Sequence, residues 1–215
     1  MPALDAIVRI RAEDNASGEL GRVGGAFDRL GGIAKAGLAV GAAVATAAIG
    51  GLVAGLTSSI AAAVEAQEVQ AQLNAVLAST GGKAGVTAEM ANGLASSYQA
   101  VTRFGDEAIL SGENILLTFT GIGKDVFPQA TEAMLNMSQS LGQDLKSSAI
   151  QLGKALNDPI AGITALSRVG VSFTESQKAT IKSMVEMGDV AGAQKLILQE
   201  LQTEFGGSAV AAGQT

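Results

Sequence analysis

The chain has no cysteine, no histidine and no tryptophan, and it holds a single tyrosine, Tyr98, with three prolines. Without cysteine there are no disulfides and no thiol nucleophiles. Without histidine, most transition-metal sites and every Ser–His arrangement fall away as well. Serine chemistry would then need a Ser–Lys arrangement, and no Ser-x-x-Lys spacing occurs anywhere in the chain. Large rings supply the heaviest buried area per residue, so with six Phe and one Tyr the core has to be thin. Basic residues are also short, 14 against 20 acidic. They form no cluster that would neutralise phosphates, which argues against static binding to duplex DNA. The opening MPALDAIVRIRAEDN places charges where a signal peptide would carry its apolar region, so export by the usual route is not expected.

What is present is alanine and glycine. Apolar residues make up 47% of the 215, largely Ala, and 28 Gly stand beside them. Ala is the best helix former, whereas sheets favour branched and aromatic residues. The expected fold is therefore mainly α, with cores built from close backbone approach. A short N-terminal strand is predicted at Ile7–Arg11, where branched residues partly alternate. A helix through Leu20, Val23, Phe27 and Leu30 follows it, ending at Gly31-Gly32.

From Ala36 to Val64 no side chain is charged, and GLAVGAAVATAAIGGLVAGL (37–56) lies inside that stretch. Its length exceeds the roughly 20 apolar residues that span a bilayer. The pairs Gly37–Gly41 and Gly51–Gly55 have the GxxxG spacing that lets helices pack closely. Against a permanent span stand Gly50-Gly51 in the middle, the weak insertion drive of Ala and Gly, and the absence of interfacial Trp or Tyr. A monomer would not leave so long an uncharged helix bare. It is expected to pack against copies of itself or inside a protein tube, and to meet a membrane later.

The remainder reads as capped amphipathic helices. After Val64 the helix turns amphipathic, with Val69, Leu73, Val76 and Leu77 on one face, and runs to about Ala78. TGGKAGVT is a turn, and Thr87 caps a helix over 88–103. The next helix runs from Asp106 towards Leu117, although ILLTF (115–119) also suits an extended segment. Pro128 fits a helix start, Asp144 opens a further helix that must end before Pro159, and PIAGITALSRVG makes a short helix with a turn. TESQ matches a capping box in which Thr174 and Gln177 satisfy each other's orphan amides. Gly188 stops that helix, Asp189 caps the next, and Gly206-Gly207 ends it after Phe205. The predicted organisation is a strand-helix element at 1–35, a long apolar-to-amphipathic helix at 36–80, a compact multi-helix domain at 81–207 and a truncated linker at 208–215.

Chemistry is hard to find. Asp106-Glu107 with Glu113, or Glu186 with Asp189, would supply a carboxylate pair for glycoside cleavage, but caps and solvated helix faces explain them better. TGIGK (120–124) lacks the spacing and the trailing Ser or Thr of a phosphate loop. Met134, Met137, Met184 and Met187 fit core packing better than metal binding. No catalytic residue, cofactor or metal is expected, and nothing argues for an enzyme.

One stretch is more specific. LGKALNDPIAGITALSRVGVSFTESQKATIKSMVEMGDVAGAQKLILQELQTEFGGSAVAAG (152–213) resembles tail tape-measure proteins of long-tailed bacteriophages and prophages. The shared order is an LGKAL-(N/E)-DP turn, a GVSFT-x-x-Q helix start, a GD turn, then AQ-x-x-IL-x-EL and FGG. With the Gly/Ala-rich opening, the resemblance covers most of the chain and points to the N-terminal region of such a protein. It implies a virion structural protein that lies in the lumen of the tail tube and sets tail length during assembly. Implied partners are other copies of itself, the tail tube protein, tail assembly chaperones and tail tip or baseplate proteins. Transient contact with the host inner membrane and with DNA during genome ejection is implied too. The protein would be made in the host cytoplasm, with residue 215 short of the natural end. The competing reading is a membrane-active helical toxin or translocator that inserts residues 37–64.

Overall fold

The structure is a computed structural model and describes residues 63–214. The predicted strand at 7–11, the following helix, and the apolar segment up to residue 62 with Gly37, Gly41, Gly51 and Gly55 lie outside the described residues. Among the described residues the chain is helical, with no strand.

Helix α1 (63–79) carries one narrow apolar stripe, on which Val69 and Leu73 are buried and Val76 and Leu77 half-buried. A turn at 80–87 leads to α2 (Ala88–Gln99) and α3 (Asp106–Thr118). Next come α4 (Phe127–Leu141), α5 (Leu145–Asn157) and α6 (Pro159–Ser167). The last three are α7 (Glu175–Glu186), α8 (Val190–Phe205) and α9 (Ser208–Gly213). Helices α3, α4 and α5 pack on one another at the centre. Around them α2 lies on α3, α6 on α5, α8 and α9 on α4, and α7 across α6 and α8.

Close approach substitutes for bulk where the sequence is poor in large residues. Gly162 of α6 rests on the backbone of Ala155 in α5, so that a Cβ there would collide with main chain that cannot rotate away. The Asp158-Pro159 step between them makes the approach possible. Proline starts α6, and the Asp158 side chain accepts from the Ala161 amide as its cap. Gly142, in the left-handed region at φ 64°, ends α4, and its amide donates to Ser138 O.

Three expectations need correction, and one alternative is set aside. Helix α2 stops at Gln99 rather than 103 because β-branched Val101 and Thr102 disfavour continuation. The Thr102 hydroxyl also donates to Tyr98 O at 2.7 Å, beside the Thr102 amide at 2.9 Å. The segment 115–119 is not extended. It is helical through Thr118, which buries Leu116 and Leu117 on the same face as Ile109 and Leu110. Residues 208–213, predicted as linker, form α9 and bury Ala209. Met187 is 74% exposed and contributes nothing to the core, whereas Met134 and Met137 are fully buried.

Candidate functional site

The helix starts read from the sequence have simple geometry. Thr87 Oγ1 accepts from the Met90 amide at 3.1 Å, and Asp189 accepts from the Gly192 amide at 2.9 Å. Thr174 Oγ1 accepts from the Gln177 amide at 3.2 Å, while Gln177 Oε1 accepts from the Thr174 amide at 2.7 Å. Gln177 also donates to Glu200 of α8, so the capping residue tethers α7 to its neighbour. These groups satisfy helix ends and carry no chemistry of their own.

Glu113 does not join Asp106 and Glu107, whose carboxyls meet each other in a hydrogen bond. Asp106 and Glu107 sit in the first turn of α3 and line surface clefts. Glu186 and Asp189 are exposed. Glu113, read from sequence as part of a solvated face or cap, is fully buried. Its spacing from Ile109, Leu110, Leu116 and Leu117 already put it on the apolar face of α3. That periodicity was the signal available in the sequence.

The interior is where polar groups converge. Glu113 Oε1 accepts from the Thr131 hydroxyl of α4 at 3.2 Å, and Oε2 has no partner among the described residues. Burial raises the Glu113 pKa to about 8, an effect that the Thr131 hydrogen bond only partly offsets. The group is therefore largely protonated at neutral pH. On α2, the Tyr98 hydroxyl is pushed up to about 12 by burial, with the negative charges of Glu132 and Glu113 adding to the effect.

Three buried amides staple distant parts of the chain to this centre. Asn114 Nδ2 donates to Val69 O of α1 at 3.0 Å. Asn136 Oδ1 accepts from the Ala209 amide of α9 at 3.1 Å. Gln194 Nε2 of α8 donates to Gly121 O at 2.8 Å and to Leu156 O at 2.9 Å. Gly121 lies in the TGIGK turn, which thus serves as an anchoring loop. Buried amides paired in this way specify which segments meet.

The surface cleft between α4 and α8, about 440 Å³, is lined by Gln129, Glu132, Lys195, Leu198, Gln199 and Gln202. It brings a single carboxylate, so it cannot supply the two that glycoside cleavage needs. Among the described residues no group of three acidic side chains could hold a metal ion, and no helix is long and apolar enough to cross a membrane. The arrangement organises a helical scaffold.

Comparison with known proteins agrees with a structural role. The family model described as prophage tail length tape measure protein matches residues 20–182. No curated protein and no solved structure matches the chain.

Proposed function

The chain belongs to the prophage tail length tape measure family, and on that premise we propose that it lies within the tail tube and fixes tube length as the tail assembles. The observation that carries this reading is the family match, which runs from residue 20 through the first part of α7. The helical domain supports it. Its buried amides hold distant helices together.

The same reading extends to partners and delivery. The tail tube protein, tail assembly chaperones, tail tip proteins and further copies of the chain are the partners proposed. The uncharged stretch from Ala36 to Val64 is long enough to engage the host inner membrane when the genome is ejected. No catalytic role is proposed. Deleting the gene from the inducible prophage tests the reading. Loss of tails of defined length, with heads still made, is expected. Tails of unchanged, uniform length would overturn it.

A further inference from the structure

Helix α1 is attached differently from the helices at the centre. Along α4, nine side chains are buried, from Phe127 to Ser138. Along α1 only Val69 and Leu73 are buried among the described residues. The first half of α1 is also undercut on both sides. A cleft of about 100 Å³ separates it from α2 and α3, lined by Ala66, Val69 and Gln70 on one wall and Asn92, Ala95 and Leu110 on the other. A wider one, about 520 Å³, runs between Glu65, Glu68 and Gln72 of α1 and the segment Phe104–Ser111 with the start of α5.

Charge acts in the same direction as shape. Glu65 and Glu68 overlook Glu107 and Asp144 across the wider cleft, and Lys146 is the single cation among its described lining residues. Glu107 responds to this. Its carboxyl is held above the usual value by a hydrogen bond with Asp106 first, then by loss of hydration, and last by the charges of Asp106 and of Glu65 on α1. Like charges therefore face each other across the seam. Set against this repulsion are the buried Val69 and Leu73, the half-buried Val76 and Leu77 in the second half of α1, and one buried hydrogen bond, from Asn114 Nδ2 to Val69 O.

The geometry points to α1 as an electrostatically loaded strap, which lifts from the domain while α2 to α9 stay folded. Salt sets the balance, because screening weakens the repulsion that raises the strap. The Debye length falls from about 30 Å at 0.01 M to about 3 Å at 1 M. This inference rests on the seam itself and stands apart from the tail-length reading.

Hydrogen exchange of the full 215-residue chain, read by mass spectrometry at low and high sodium chloride, tests it. Amides of 63–79 should exchange well before those of α4 and α8 at low salt, and slow by about two- to fivefold at high salt. Glu107→Gln should slow them at low salt and reduce the salt effect. Asn114→Ala should speed them about fivefold without changing α4 or α8. Should Asn114→Ala unfold the chain, the surface variant Glu107→Gln decides alone. Exchange of 63–79 as slow as that of α4, or a rate unmoved by both salt and Glu107→Gln, would overturn the proposal.

Discussion

Thr131 of α4 donates its hydroxyl to a carboxyl oxygen of Glu113 in α3, 3.2 Å away, in a place that water does not reach. The contact joins two central helices and leaves the second carboxyl oxygen without a partner among the described residues. A buried charge there would be costly, so the group keeps its proton instead.

That choice makes stability depend on pH. The folded pKa is raised from 4.5 to about 8, so the unfolded chain gives up this proton first. Unfolding then releases a proton across that window. Stability contributed by the neutral carboxyl is full below about 4.5 and falls as pH rises to about 8, by up to ~1.4 kcal/mol per pH unit. Urea unfolding at a series of pH values should show this decline in the wild type and a flatter profile in Glu113→Gln. Parallel profiles would mean that Glu113 is not the group responsible.

Removing the cap at α7 should have a smaller and local cost. Thr174→Ala loses the oxygen that accepts from the Gln177 amide, and caps of this kind are worth ~1 kcal/mol. Gln177→Ala should cost more than a cap alone, because it also severs the bond to Glu200. Equal urea midpoints for the two variants would contradict that second tether.

Gly162→Ala examines the close approach of α6 to α5. The added methyl meets the Ala155 main chain, so one helix has to move. Overpacking of this sort costs ~1–3 kcal/mol. A lowered thermal midpoint is expected for Gly162→Ala, while Gly93→Ala, with open space around it and a mid-helix position, should be neutral or stabilising.

Residues 63–214 should fold on their own. The caps at Thr87, Asp144, Asp158, Thr174 and Asp189 and the buried cluster from Leu73 to Ala209 all lie within this span. A fragment of 63–214 should unfold cooperatively in urea. A gradual, non-cooperative loss of helical signal would contradict this.

The helices were legible because their signals are local. Thr174 with Gln177, the Asp158-Pro159 step and Gly188-Asp189 each define an end within a few residues, and the apolar spacing defines the buried face between them. The polar interior was not. Asn114 and Gln194 act on carbonyls 45 and 73 positions away, and no local pattern reveals which backbone group an amide will reach. Glu113 falls between these cases. Its periodicity placed it on the core face of α3, but its charge suggested solvent, and only the packing of α4 against it decides for the core. Met187 failed in the opposite direction, since a helical interval says nothing about a residue that lies past the end of α7.

Tail length measured by electron microscopy is the sharpest check on the proposed ruler role. In-frame deletions and duplications should be made in the gene that encodes it, leaving residues 63–214 intact. A helix rises ~1.5 Å per residue, so removing about 40 helical residues should shorten the tail by about 60 Å, and duplicating them should lengthen it by as much. Tails that keep their length whatever the size of the change would contradict the ruler and favour a membrane-active role for the apolar segment at 37–64.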